Sequence, residues 1–358
     1  MSVSPRLRTT TPRRAGAILA VIACLATAAC SGSDKPEAQS SPTESPSASP
    51  TPSATPSTIA VGTLNPLTGL PAGLGKQVLA VKIDNTFPAH PQQGVEDADV
   101  VYLEEVEGGL SRLCAVFSST LPAKLGPVRS VRETDLELLA PYGRVAFAFS
   151  GGNRGVLRKV AASKVIDVSV DRLPGKYYRV FGGRHAPYNL FTNPASLLAA
   201  RSNSATTVDV GFHFDAPGVT SPATTAGSPA RSFSVRFERA RITWTWSPVV
   251  GRWQLAMDGK PDTVVGGKLL GADNVIVQFV KIDRSRFSDV NGVTSPITRT
   301  VGSGKAMYFR DGKLVQGTWS RAGAHATSWK DPDGTPHLLK PGKTWVILVR
   351  AGSSVPVS

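Results

Sequence analysis

Cysteine is scarce in this chain of 358 residues, which has three cysteines in all. Only Cys114 lies beyond the first 30 residues, so the body of the protein is not a disulfide-stapled scaffold. Cys114 falls within the apolar run 113–117. Because a reactive cysteine needs an accessible and electropositive setting, this run predicts a lone buried thiol without a catalytic role.

Familiar catalytic and cofactor-binding motifs are also missing. The sequence has no HExxH, no paired CxxC and no nucleophile elbow. The segment 302–305 (GSGK) lacks the first glycine of a phosphate-binding loop and is followed by Ala306, where Ser or Thr is required. Histidines are few and dispersed, at positions 90, 185, 213, 325 and 337. The sequence therefore predicts neither a metal site nor a cofactor.

The uncharged run 15–29 near the start of the chain is too short for an ordinary membrane span. Arg13 and Arg14 precede it, and the small residues 27–29 (TAA) come directly before Cys30. This order is typical of a signal peptide, here residues 1–29, followed by a lipid-attachment cysteine. Cys24 is a competing attachment site. The sequence predicts a protein anchored by lipid at Cys30 to the extracytoplasmic face of the cell membrane.

The segment after Cys30 is rich in Ser, Thr and Pro, which make up 19 of the 30 residues from 31 to 60. Such a composition buries too little apolar surface to offset the entropy lost on ordering. Residues 30–60 are therefore predicted to form a lipid anchor and a disordered tether.

Positive charge exceeds negative charge, with 40 Lys and Arg against 26 Asp and Glu and a formal net charge of +14. This balance favours anionic partners, such as lipid headgroups, an anionic cell-wall polymer or a muropeptide. Nucleic acid is the least favoured partner, because the chain has an export signal and no recognisable nucleic-acid module. A protein partner remains a further alternative.

The remaining chain alternates between strand and helix patterns and then becomes strand-rich. Runs 78–83, 100–106 and 113–117 predict strands, and run 133–139 predicts a helix. Beyond 230, Asp-Gly and Asn-Gly pairs at 258, 291, 311 and 333 predict β-hairpins. We expect an α+β fold of layered β/β/α type: an N-terminal α/β domain at 61–202, a linker or insertion at 203–230, and a β-rich domain at 231–352 packed against the first.

Several short motifs have a recognisable order along this body. They are 65–69 (NPLTG), 98–102 (ADVVY), 106–112 (VEGGLSR), 126–132 (GPVRSVR), 186–190 (APYNL), 317–319 (GTW) and 341–345 (PGKTW). With them, the chain resembles the YerB-like lipoprotein family, whose body carries two domains of unknown function designated DUF3048. The resemblance runs from about residue 65 to 351. It implies a mixed α/β fold and an envelope lipoprotein, and it carries no settled activity.

The first functional hypothesis is a binding module for an anionic envelope ligand. Its candidate residues lie in turn-rich motifs, where loops positioned by a scaffold often carry function. They are Glu107, Arg112, Arg129, Arg132, His185 and Asn189. Guanidinium groups suit carboxylate or phosphate, which are abundant in wall polymers. The alternative interpretation is that Glu107 and the arginines form a structural salt-bridge network.

A second hypothesis is an envelope hydrolase that uses Glu104 and Glu107, or His185, as acid and base. If the strand at 100–106 continues, Glu105 and Glu107 share one face and Glu104 lies on the other. No obvious nucleophile accompanies these residues, so the sequence favours binding over catalysis. A third hypothesis makes the glycine turn 150–155 an anion seat at a helix N-terminus. A structural or protein-interaction role is compatible with all of them.

Overall fold

The computed structural model describes residues 64–71, 76–201 and 203–358. The predicted signal peptide, the attachment residue Cys30, its competitor Cys24 and the predicted tether lie outside these described residues. Within the described part of the chain, no helix is both long enough and apolar enough to cross a membrane.

The first half of the body alternates between strands and helices. Its strands are Leu79–Asp84 (β1), Val100–Glu105 (β2), Ser111–Phe117 (β3), Ala146–Ala148 (β4), Ile166–Asp167 (β5), Tyr177–Arg179 (β6) and Leu190–Thr192 (β7). Its helices are Glu133–Leu139 (α1), Arg154–Ala161 (α2) and Pro194–Ala199 (α3). The strands predicted at 78–83, 100–106 and 113–117 and the helix predicted at 133–139 are confirmed, with small differences at their ends.

The second half is mostly β-structure. The region 203–230, predicted as a linker or insertion, contains His213–Phe214 (β8), Pro222–Ala226 (α4) and Ser228–Pro229 (β9). The strands that follow are Ser232–Phe237 (β10), Ala240–Ser247 (β11), Arg252–Met257 (β12), Lys260–Pro261 (β13), Gly271–Ala272 (β14), Asn274–Ser288 (β15), Thr294–Arg299 (β16), Gly302–Arg310 (β17), Lys313–Arg321 (β18), Ser328–Lys330 (β19), Leu338–Leu339 (β20) and Thr344–Arg350 (β21).

A twelve-stranded sheet runs through both halves. Its order is β19-β18-β17-β15-β21-β2-β3-β1-β4-β5, with β16 paired to β15 and β9 paired to β18. Strand β21 is parallel to β15 on one side and to β2 on the other. The final strand of the chain therefore joins the strands of the second half to those of the first.

The central strands are covered on both faces, which explains their nearly continuous apolar sequences. Leu79 and Val81 of β1 pack into one apolar layer, together with Trp244 and Trp253 of the smaller sheet formed by β10–β14. Ala80 packs into the opposite layer, with Leu138 of α1. The small sheet, the large sheet and helices α1 and α2 thus form three layers, with α3 on the side of the small sheet, and the predicted α+β fold is confirmed.

Two of the predicted hairpin turns have the backbone that their residues favour. Asp258 and Gly259 have φ of 51° and 79°, and Asp311 and Gly312 have φ of 50° and 69°. Two successive positive φ values are the mark of a type I′ turn, whose twist matches that of the flanking strands. These turns connect β12 to β13 and β17 to β18.

Candidate anion-binding site

A cavity of about 420 Å³ lies where β3, the loop 129–132, the start of α2 and the turn between β15 and β16 meet. Its cationic lining is formed by Arg112, Arg129, Arg132 and Arg154. Backbone and polar groups complete the wall, from residues 130, 131, 152, 153, 156, 288–291 and 295. Asp289 is the acidic member of this lining. We call this the arginine cavity.

Backbone hydrogen bonds fix the loop that carries two of these arginines. The Arg129 N–H donates to the carbonyl of Lys82 in β1 at 2.8 Å, and the Ser150 N–H donates to the carbonyl of Arg129 at 2.9 Å. The Arg132 N–H donates to Oδ2 of Asp135 at 2.7 Å, which satisfies a donor at the start of α1. The loop is therefore held from both sides before its side chains make any contact.

Arg132 forms a fork-shaped ion pair with Glu107. Its Nε and Nη2 donate to the two carboxylate oxygens of Glu107 at 2.5 and 2.7 Å. The hydroxyl of Ser295 in β16 also donates to Oε1 of Glu107. Burial alone would raise the pKa of Glu107, but the hydrogen bonds and charge of Arg132, together with Ser295, hold it below the usual value.

The positive charge of Arg129 is balanced by a different carboxylate and by an aromatic ring. Its Nε forms an ion pair with Oδ2 of Asp84, at the end of β1. Its guanidinium carbon lies 5.5 Å from the centre of the Tyr188 ring, within the range of a cation–π interaction. Its side chain remains 18% exposed, so it faces the cavity while staying anchored on both sides.

Arg112 is the least compensated of the buried cations that line this cavity. It is buried, and its Nη1 donates to the backbone carbonyl of Ser130 at 3.2 Å. Among the described residues it forms no ion pair. Burial, together with the positive charges of Arg132 and Arg129, lowers the pKa of Arg112 to about 10, and the carboxylates of Glu107 and Asp84 offset only part of this shift. An anion in the cavity would relieve this cost, because a buried charge needs a partner.

The glycine turn predicted as an anion seat forms one wall of the cavity. Asn153 caps α2 by accepting the Gly155 N–H at 2.8 Å, and Arg154 is exposed beside it. A Cβ atom on Gly155 would lie 2.1 Å from Cε1 of Phe287, so a side chain here would collide with that ring. The glycine lets α2 pack directly against β15.

Of the six residues predicted for the same cleft, Glu107 contacts Arg132 without lining the cavity, and two others lie elsewhere. His185 is exposed, its Nδ1 is 2.9 Å from the carbonyl oxygen of Ala186, and it lines a second cavity of about 540 Å³ with His90 and Arg184. Asn189 is buried, and its Oδ1 accepts a hydrogen bond from Nη1 of Arg179 at 2.8 Å. Neither residue lines the arginine cavity.

Both glutamates of the hydrolase hypothesis form ion pairs with basic residues of the protein. The prediction that Glu105 and Glu107 share a strand face is wrong, because β2 ends at Glu105 and Glu107 begins a 3-10 turn. Glu104 lies inside the protein with no exposed side-chain surface and contacts Nζ of Lys82. Neither Glu104 nor Glu107 lines the arginine cavity.

Sequence reasoning missed a buried group of three charged side chains beside this site. Nζ of Lys82 in β1 contacts Oε1 of Glu104 in β2 and lies 2.7 Å from Oδ1 of Asp135 in α1. Cys114 of β3 is paired with Lys82 and is buried, as predicted, and burial raises the pKa of its thiol well above the usual value. A lysine within the apolar strand 79–84 (LAVKID) was the available signal. The contribution of Ser295 had no such signal, whereas Arg154 belongs to the glycine turn 150–155 that was predicted as an anion seat.

Comparison with known proteins gives consistent results. Residues 67–207 match the N-terminal domain, and residues 233–346 the C-terminal domain, of "Protein of unknown function (DUF3048)". The chain is 23% identical over 301 residues to "Putative lipoprotein YerB" of Bacillus subtilis strain 168, which covers 79% of this chain and 85% of that protein. The crystal structure of the YerB protein from Bacillus subtilis has the same fold, with a TM-score of 0.69 and 20% identity over 82% of this chain and 99% of the other. Since the two matched segments cover more than half of its length, the chain belongs to the DUF3048 family, together with YerB.

Proposed function

We propose that this protein is a binding module, anchored by lipid on the extracytoplasmic face of the membrane, whose arginine cavity takes an anionic ligand of the cell envelope. The anchored location is supported by the signal-like segment before Cys30 and by the name of the relative, which calls it a lipoprotein. The ligand chemistry is supported by the four arginines that line one cavity.

The observation that carries the proposal is the state of Arg112. Arg129 is paired with Asp84, and Arg132 is paired with Glu107. Arg112 is buried beside both and has no carboxylate partner among the described residues. An unpaired buried charge is costly, and a cation kept for an anionic ligand would bear this cost in the ligand-free protein. The missing negative charge is supplied by a ligand.

The geometry favours a compact oxyanion, a phosphate or a carboxylate. Guanidinium groups present parallel N–H donors that match both groups. The start of α2 adds the positive end of a helix dipole. The opening also contains Ser288 and Asn291, which can donate to the hydroxyl or amide groups of a larger ligand.

Calorimetric titration of the chain from residue 57 onward tests the proposal, since this part forms one compact unit. The probes are inorganic phosphate, a glycerol phosphate oligomer and a muropeptide. We expect saturable binding of at least one probe, weakened by added salt because charges are screened. Loss of the Arg112 guanidinium in Arg112→Gln should weaken binding about 10- to 100-fold, the worth of a hydrogen bond to a charged group.

Arg158→Gln is the matched control. Arg158 is an exposed arginine of the same helix α2, but it does not line the cavity. Its replacement removes the same charge from the protein and should leave the affinity nearly unchanged. Equal losses in the two variants would indicate a general charge effect, and no saturable binding of any probe would contradict the proposal.

A further inference from the structure

Three ionisable side chains meet at a place that water does not reach. The side chains of Lys82, Glu104 and Asp135 all have no exposed surface. Lys82 and Glu104 belong to β1 and β2, which flank β3 on either side. Both project to the same face of the sheet, where Asp135 of α1 covers them. None of the three lines the arginine cavity.

The hydrogen bonds of this cluster are incomplete for a set of buried ions. Oε1 of Glu104 contacts Nζ of Lys82, whereas Oε2 is buried and has no hydrogen-bond partner in the described part of the chain. A carboxylate with one unsatisfied buried oxygen is costly. The contact also places an amine next to a carboxyl group that has an oxygen without a partner.

We propose that Lys82 and Glu104 form an intramolecular isopeptide bond, and that Asp135 carries the proton that the reaction must move. Three observations support this assignment. The Lys82 amine contacts the Glu104 carboxyl group directly, Oε2 of Glu104 has no hydrogen-bond partner in the described part of the chain, and the Asp135 carboxylate lies 2.7 Å from the amine. The proposal concerns the maturation of the fold and does not depend on the anion-binding function.

The reaction balances without any outside reagent. The Lys82 ammonium passes a proton to the Asp135 carboxylate, and the free amine attacks Cδ of the protonated Glu104 carboxyl group. A C–N bond forms, and the C–O bond to the departing hydroxyl breaks. That hydroxyl takes the second amine proton and leaves as water. The products are a neutral secondary amide, one water molecule and a protonated Asp135.

The surroundings favour the starting protonation states of the two reacting groups. Burial raises the pKa of Glu104, and the positive charge of Lys82 opposes this only in part, so the protonated carboxyl group that the attack requires is favoured relative to an ordinary glutamate. Burial alone would lower the pKa of Lys82, but the charges of Asp135 and Glu104 outweigh it and keep the amine protonated until Asp135 accepts its proton. Holding the reacting groups in contact replaces a bimolecular encounter by an intramolecular step.

Digestion of the full-length wild-type protein with trypsin, followed by mass spectrometry, tests the bond. Lys76, Lys82 and Arg112 are successive tryptic sites. An unlinked chain releases separate peptides 77–82 and 83–112. The linked chain instead yields one peptide, 77–112, uncut at Lys82 and lighter than its sequence mass by one water molecule. Further cleavage after Glu96 should leave the segments containing Lys82 and Glu104 joined.

Release of peptide 77–82 at full yield from the folded wild-type protein would overturn the bond, and the cluster would then be an ion pair. Lys82→Arg keeps a positive charge but has no amine to acylate. The peptides of this variant should therefore show their full sequence mass, with no loss of a water molecule. Asp135→Asn retains shape but accepts no proton, and we expect peptide 77–82 from it. A fully linked Asp135→Asn protein would overturn the role assigned to Asp135.

Discussion

The guanidinium of Arg132 and the carboxylate of Glu107 meet through two parallel hydrogen bonds, and Ser295 adds a third contact to the same carboxylate. Arg132 and Glu107 belong to the first half of the body, and Ser295 belongs to the second. The pair therefore shapes the arginine cavity and connects the two halves at its edge.

Removing the acid from this pair should destabilise the fold strongly. Glu107→Ala leaves the buried guanidinium of Arg132 without its partner, and breaking a buried pair in this way costs about 3–5 kcal/mol. Urea denaturation gives the change in the free energy of unfolding. The double variant Glu107→Ala/Arg132→Ala should lose less than the sum of the two single variants. Strict additivity would mean that the two side chains do not interact.

The same pair should make stability depend on pH in the acid range. The pKa of Glu107 is lower in the folded protein than in the unfolded chain. At acid pH the unfolded chain therefore binds more protons, so this contribution is fully present above the ordinary glutamate pKa of about 4.3 and is lost as the pH falls through the folded value. Unfolding measured from pH 7 to pH 3 should show this loss in the wild-type protein. Glu107→Gln should lack that component, and an unchanged profile would contradict the assignment.

Removing the positive charge of Arg112 should not lower the stability of the ligand-free protein. The pKa of Arg112 is lowered by burial and by two neighbouring arginines, so the folded state carries an unfavourable charge there. We expect ligand-free Arg112→Gln to be as stable as the wild type, or more stable by about 1 kcal/mol, as often happens when a functional strain is relieved. Thermal unfolding measures this difference. A marked loss of stability would favour a purely structural arginine network.

The contact between α2 and β15 should tolerate no added side chain. Gly155→Ala places a methyl group against the Phe287 ring, and overpacking of this kind costs about 1–3 kcal/mol. Gly175→Ala is the control, because a Cβ there meets no atom within 4 Å. Thermal unfolding of both variants gives the comparison. Phe287→Ala should restore part of the stability lost in Gly155→Ala, and failure to do so would place the strain elsewhere.

Local patterns predicted the elements better than their arrangement. The sequence predicts β1, β2, β3 and the Asp-Gly turns, because each of these depends on neighbouring residues. The sequence does not predict the insertion of β21 between β15 and β2, since parallel pairing between distant strands has no local signature. The arginines of the loop 129–132 stood out by composition. Arg154 belongs to the glycine turn 150–155, which the sequence indicated as an anion seat. Ser295 reaches the same cavity only through the packing of β16, which no spacing in the sequence indicates.

The position of β21 also has a consequence for the order of events during folding. Without residues 344–350, the large sheet divides into a group ending at β2 and a group ending at β15, each with an unpaired strand edge. Such edges are templates for aggregation. Because residues 344–350 close both edges at once, neither group of strands is protected until this one segment has paired with β2 and β15.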